Sequence, residues 1–126
     1  MIKANVVEYA YPLGVTFHRA FDRTVDPFEA LEDIIEIGCE RILTSGQKQN
    51  ALEGAALIKQ LIEKAADRII IMPGSGVRSD NIVQIAEATG AVEFHSSARI
   101  HLENKISVDE KEVRKMITQL SSLPRN

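Results

Sequence analysis

The sequence lacks most of the features that mark a secreted, membrane-spanning or nucleic-acid-binding protein. It has one cysteine, Cys39, among 126 residues, so it can form no internal disulfide. That suits a reducing cytosol. No apolar run reaches the roughly 18 residues that a membrane helix needs. The opening stretch Met1–Gly14 carries a single lysine and no extended apolar core, unlike a signal peptide. Positive charge is not in excess: Lys and Arg number 15 against 18 Asp and Glu, a net charge of −3. A general nucleic-acid binder would usually be basic. There is no low-complexity tract, no evident linker, no visible internal repeat, no Cys-x-x-Cys and no methionine cluster. These absences leave a single soluble domain, expected in the cytoplasm, with neither membrane nor nucleic acid as a partner.

What the chain does have is apolar material, 44% of its residues, arranged in a regular rhythm. Four short apolar runs stand out: Val15–His18, Arg41–Thr44, Arg68–Met72 and Ala91–His95. The third holds Ile69, Ile70, Ile71 and Met72 without alternation, as strands covered on both faces do. Helical spacing lies between the runs. Asp26-Pro27 supplies an N-cap and a first-turn proline. Phe28, Leu31, Ile34 and Ile35 make one stripe, and Gly38 can close the helix. A second helix is expected from about Asn50 to Ala66, with Leu52, Ala55, Ile58, Leu61, Ile62 and Ala65 on one face. A third follows Ser79-Asp80, turns Ile82, Ile85 and Ala86 inward and stops at Gly90. The last, within 106–123, begins near Ser107, where Ser-Val-Asp-Glu has capping-box spacing. Its stripe is Val113, Met116, Ile117 and Leu120. Residues 1–13 fit the remnant of a preceding helix. Strand–helix alternation, four times over, predicts right-handed crossovers and a parallel α/β sheet. The rhythm fits a small doubly wound domain and half of a closed barrel equally.

Four ordered motifs decide between these. The stretch Val15–Asp22 reads VTFHRAFD, Arg41–Gly46 reads RILTSG, Ile70–Val77 reads IIMPGSGV, and Val92–Arg99 reads VEFHSSAR. Together they resemble the CutC copper-homeostasis family over about residues 5–100. The resemblance implies a TIM-type (β/α)₈ barrel, of which these segments are strands five to eight. It therefore implies a half-barrel of four βα units spanning 1–126, since a complete barrel needs roughly 200 residues or more. The family's first four strands, with their cysteine-bearing segments, have no counterpart here. The stretch Ile100–Lys105 is also shorter than the loop many members carry. A role in copper homeostasis, a cytoplasmic setting and copper as a cofactor are implied by the resemblance alone.

The C-terminal ends of barrel strands carry the site, and each motif places chemistry there. His18 and Arg19 fall at the end of the first strand, with Asp22 in the loop beyond. A neutral imidazole can accept a proton or bind a metal, and Asp22 can orient it. Arg19 and Asp22 can equally pair to pin the loop. Thr44 and Ser45 offer hydroxyls to a ligand or to local backbone. Gly74, Ser75 and Gly76 allow close backbone approach to an anion before a helix N-terminus, or simply make a turn. Glu93 and His95 share one strand face, Phe94 the other. His95 then joins His18 at the mouth, with Ser96 and Ser97 beside the glycine loop. The candidate roles are His18, Asp22 and His95 in catalysis, His18 and His95 in metal binding, and Arg19, Thr44, Ser45, Gly74, Ser75, Gly76, Ser96 and Ser97 in holding a small anionic ligand.

Copper prefers thiolate and thioether ligands in its reduced state. Cys39 precedes the second strand, at the end opposite the mouth, and Met116 lies on a helix stripe. Met72 is near a strand end but suits the core. These residues do not by themselves indicate a copper site. His101 lies beyond the last motif and reads as surface. The functional alternatives are a copper-homeostasis protein, an enzyme or enzyme remnant taking a small anion, and an inactive half-barrel. A parallel sheet cut from a barrel exposes two edges and one apolar face. The expected partner is another copy of the chain or a complementary N-terminal half.

Overall fold

A computed structural model describes residues 13–102 and 105–124. The expected helix remnant at 1–13 lies, apart from Leu13, outside the described residues. Three parallel strands form one sheet: β1 (Thr16–Phe17), β2 (Arg41–Thr44) and β3 (Ile70–Pro73), in the order β1-β2-β3. Their register pairs Thr16 with Arg41 and Arg41 with Ile70. Four α-helices follow the strands in turn: α1 (Pro27–Ile37), α2 (Ala55–Ala65), α3 (Ile82–Thr89) and α4 (Glu110–Ser121). Among the described residues no helix is long and apolar enough to cross a membrane.

Local chemistry sets most of these boundaries. The Asp26 carboxylate accepts from the Phe28 and Glu29 amides at 3.0 and 3.2 Å, with Pro27 in the first turn, so α1 starts where its cap dictates. It ends at Gly38, whose φ of 101° suits a residue without Cβ. Helix α2 starts at Ala55 rather than Asn50. Residues 51–54 are instead a turn in which Gly54 lies against the Ser45 backbone; a Cβ on Gly54 would sit 1.8 Å from the Ser45 carbonyl oxygen. That contact holds the loop after β2 closed, and helical geometry resumes only beyond it.

Strand order explains where the helices go. Right-handed crossovers between strands laid down in sequence put every helix on the same face. A doubly wound sheet needs a reversal of order to place helices on both, and none occurs here. On the helix side Ile42, Thr44, Ile71 and Pro73 are buried, and Ile42 and Ile71 join Leu31, Ile58, Leu61 and Ile85 in the core. On the other side Arg41, Leu43, Ile70 and Met72 are only half-buried. At roughly 25 cal/mol per Å² of apolar surface, the helix-facing layer is the main source of stability.

Two sequence expectations are corrected. Ala91–His95 forms no strand. It bends at Val92 and makes a single bond to β3, His95 N–H to the Pro73 carbonyl at 2.9 Å. A single bond is too little to build a regular ladder. The parallel sheet thus has three strands, not four. Beyond it lies an antiparallel hairpin, β4 (Arg99–Leu102) with β5 (Lys105–Val108), which the sequence reading missed. Pairing of Ser107 with Ile100 and of Val108 with Arg99 draws both residues into the hairpin. Helix α4 therefore starts later, capped by Asp109, which accepts from Lys111 and Glu112, and not by Ser107. Ile117, expected on its inner stripe, is 58% exposed, while Met116 is buried.

Candidate functional site

The C-terminal ends of β1, β2 and β3, with the segment at 93–98 beside β3, bring the four motif loops to one end of the sheet. The loop after β1 is a 3₁₀ turn, Arg19–Arg23, anchored by fully buried Phe21. His18 caps it: its Nδ1 accepts the Ala20 amide at 2.9 Å. A neutral imidazole with Nδ1 as acceptor carries its proton on Nε2. In this state neither ring nitrogen of His18 offers a free lone pair to a metal.

Asp22 organises the loop after β2. Its carboxylate accepts from the Thr44 hydroxyl, the Ser45 amide (3.0 Å), the Gln47 amide (3.1 Å) and Arg19 Nε (2.9 Å). The Ser45 hydroxyl lies 3.1 Å from Asp22 but 2.6 Å from the Lys48 carbonyl, and its single proton can serve only one of them. Burial pushes the Asp22 carboxyl up; the bonds from Thr44, Ser45, Arg19 and Gln47 together outweigh it and hold the pKa below the usual value. Asp22 is therefore an ionised hub joining two loops. It does not orient His18, contrary to the sequence expectation, because its oxygens are taken up by these donors. Gln47 extends the junction by donating to the Thr24 carbonyl at 2.8 Å. This residue was not anticipated; only its place directly after Thr44-Ser45-Gly46 marked it.

Thr44 and Ser45 are fully buried and locally committed, since Thr44 also accepts the Gly46 amide at 2.9 Å. Arg19 spans both features, pairing with Asp22 and donating to Ser45 Oγ at 2.9 Å, and stays 43% exposed. It is the described cation that faces outward from this junction while fixed at its base.

The glycine loop after β3 bends through positive φ at Ser75 (82°) and Gly76 (72°). It is laced to the neighbouring loop by Ser75 Oγ donating to the Gln49 carbonyl and by the Ala51 amide donating to the Ser75 carbonyl, both at 3.0 Å. A Cβ on Gly74 would lie 2.4 Å from Leu43 Cδ1, so the end of that side chain would have to shift to admit one. The turn that leads into α3 is engaged by Glu112 of α4, which accepts from the Ser79 amide at 2.6 Å and the Ser79 hydroxyl at 2.7 Å, with Arg78 Nε at 3.6 Å. Those two Ser79 bonds, first the hydroxyl, hold the Glu112 carboxyl below its ordinary pKa. Ser96 and Ser97 are also engaged: the Ser96 hydroxyl donates to the Val77 carbonyl, and Ser97 Oγ accepts from Arg99.

The two histidines are exposed but not adjacent. His18 directly follows β1 and His95 lies in the segment beside β3, so β2 and β3 stand between them in the sheet. Cys39 is buried at the opposite end of the sheet, roughly 13 Å along β2 from the level of His18. Among the described residues no group of three or more His, Cys, Asp or Glu is placed to hold a metal ion. The side chain of His101 lies outside the described residues.

The pattern that describes the CutC family matches residues 2–100. The chain belongs to the CutC family. A CutC family protein of Parabacteroides distasonis is 54% identical over 109 residues, covering 86% of this chain and 45% of that protein. The copper homeostasis protein cutC homolog of Mus musculus is 54% identical over 95 residues, 75% of this chain and 35% of its own length. The crystal structure of the putative copper homeostasis protein CutC from Streptococcus agalactiae superposes with a TM-score of 0.65 at 32% identity, over 74% of this chain and 48% of that one. The chain thus spans less than half the length of these CutC relatives. Copper, which the family name implies, does not fit the described residues: the soft ligand, the capped imidazole and the second imidazole are too far apart to share one ion.

Proposed function

We propose that this chain serves copper homeostasis as a cytoplasmic member of the CutC family, and does so as half of a (β/α)₈ barrel. The family match over residues 2–100 carries this reading. The sequential strand order, with all helices on one face, supports the barrel half; the segment at 93–95 stands in the place of the fourth strand. Copper handling then depends on more than the described residues, whose donors do not converge. The test is copper tolerance in cells deprived of the protein and in cells resupplied with it. Unchanged tolerance and unchanged cellular copper in both would overturn the role. Titration of the isolated chain with Cu(I) against a chelator reports on binding separately. Loss of tight binding in both His18→Ala and His95→Ala would show that the strand-end histidines hold the ion after all.

A second reading has its own observation. Arg19 is held rigid by Asp22 and Ser45 yet half exposed, and the Ser75 and Gly76 amides lie in the next loop but one at the same end of the sheet. A fixed guanidinium and the backbone amides of a positive-φ turn suit a small anion. His18, Arg19, Gly74, Ser75, Gly76 and His95 would line such a site, as catalytic or binding groups of an enzyme or its remnant. Amide shifts of Ser75 and Gly76 on addition of inorganic phosphate would support it. No shift at millimolar phosphate, or identical shifts in Arg19→Ala, would remove it.

A further inference from the structure

The loops after β2 and β3 bend in the same way, and only the first is filled. The sheet register sets Thr44 against Pro73, so, counting on from that pair, Gly46 and Gln47 match Ser75 and Gly76. Both pairs take two positive φ in succession: 70° and 63° in the first loop, 82° and 72° in the second. In the first loop this bend wraps a carboxylate. The Ser45 and Gln47 amides donate to Asp22 at 3.0 and 3.1 Å, and the Gly46 amide donates to the Thr44 hydroxyl oxygen at 2.9 Å. Burial raises the Asp22 pKa, yet these amides, with Thr44 and Arg19, hold it below its ordinary value, so the wrap favours the ionised form.

The second loop has no such occupant. Pro73 stands where Thr44 does and brings no hydroxyl, so the Ser75 amide lacks the acceptor that Gly46 has. Counted from the paired Phe17 and Ile42, the position of Asp22 falls to Gln47, an amide side chain that turns back to the Thr24 carbonyl. The Gly76 amide therefore has no counterpart of the Asp22 carboxylate. Among the described residues the amides of Ser75, Gly76 and Val77 meet no acceptor. Val77 is 2% exposed, so bulk water does not readily supply one. Buried N–H groups without a partner are rare.

We propose that the Ser75–Val77 turn binds the carboxylate of a small external ligand, as the neighbouring loop binds the carboxylate of Asp22. The inference rests on the anion reading above and narrows it to one ligand class. Two features select a carboxylate. First, the matching bend one strand away holds that group, with the Gln47 amide in the place of the Gly76 amide. Second, the arginines at this end are each matched by a carboxylate, Arg19 by Asp22 and Arg78 by Glu112. Neutral amides then carry the binding, and a single negative charge suits them. Phosphate at neutral pH carries more than one.

Titration of the isotope-labelled full chain with sodium acetate, at neutral pH and constant ionic strength, tests this through the amide shifts. Acetate should move Ser75, Gly76 and Val77 saturably at millimolar concentration, and inorganic phosphate should bind there several-fold more weakly. Asp22→Ala calibrates the comparison. It empties the first loop, so acetate should then also move the Ser45 and Gln47 amides, which it leaves alone in the parent. Asn50→Asp tests the location. A Cβ on Gly76 would lie 3.2 Å from Asn50 Cβ, and an aspartate there can still accept from the Glu53 amide. Its charge should weaken acetate binding about tenfold, by filling the turn or by repelling the ligand. Phosphate that binds these amides as tightly as acetate would overturn the carboxylate assignment and leave the anion reading standing. No saturable shift with either anion would remove both. Acetate that fills the emptied loop of Asp22→Ala but leaves Ser75–Val77 unmoved would overturn the likeness of the two loops. Unchanged affinity in Asn50→Asp would place the ligand elsewhere.

Discussion

Replacing Asp22 by alanine isolates the hub that joins the first two loops. The substitution leaves the Thr44 hydroxyl and the amides of Ser45 and Gln47 without their acceptor. Thr44 and Ser45 are fully buried, so water does not readily replace the carboxylate there. Each buried donor left unpaired costs about 1–3 kcal/mol. Gln47 is half-buried and Arg19 43% exposed, and both recover hydration. Two buried donors therefore set the loss at about 3 kcal/mol, a large part of a typical 5–15 kcal/mol stability. Asp22→Asn keeps the shape but turns an amide N–H₂ toward other donors, so it recovers little. The assay is urea unfolding at neutral pH, where a loss of this size lowers the midpoint by about 1–3 M for ordinary slopes. The pH dependence gives an independent check. The folded pKa of Asp22 lies below its usual 3.8, so its contribution is complete above that value and is lost as pH falls through the lower folded pKa. Acid should therefore narrow the gap between parent and Asp22→Ala. A change below about 0.5 kcal/mol, the size of an ordinary surface substitution, would refute the hub; so would an unchanged gap in acid.

Three further outcomes follow from single contacts. Glu112→Ala should cost about 1–3 kcal/mol and speed amide exchange in α4, because Ser79 loses both acceptors. Its folded pKa also lies below the usual 4.5, so α4 protection in the parent should persist above that pH and fall in acid; equal exchange in the two proteins at neutral pH would count against the clamp. Gly54→Ala places a Cβ 1.8 Å from the Ser45 carbonyl oxygen and should cost at least the 3 kcal/mol or so of severe overpacking. Gly90→Ala meets nothing within 4 Å and pays only for its φ of 78°, about 1–2 kcal/mol. Thermal unfolding that ranks Gly90→Ala below Gly54→Ala would contradict the steric distinction.

Much of the fold was legible because its signals are local. Asp26-Pro27 and Gly38 bound α1, and Gly90 ends α3, since caps act through backbone groups a few residues away. The strands at Arg41–Thr44 and around Ile70 declared themselves as short apolar runs because helices and neighbours cover them. The run at Ala91–His95 misled because a strand is defined by its ladder to a neighbour, and this run makes a single such bond, to Pro73, which no local pattern reports. The hairpin at 99–108 was hidden for the opposite reason: its pairing takes Ser107 and Val108 from what reads as a capping box. Of the candidate site, the end of the sheet at which the residues gather was readable, but not their partners. Asp22 was offered either to His18 or to Arg19; it does pair with Arg19, but the same carboxylate also serves donors more than twenty positions along the chain.

The sequence by itself determined the alternation of strands and helices, the helix caps and the family, because each depends on residue types at short spacing or on ordered motifs. Only the tertiary structure decided which polar groups were available. Burial against β2 commits Asp22, Thr44 and Ser45 to one another, and docking of α4 places Glu112 on Ser79, in the turn that leads into α3. A hydrogen-bonding group can satisfy a neighbour or a ligand, and which one it meets depends on what folding brings within about 3 Å.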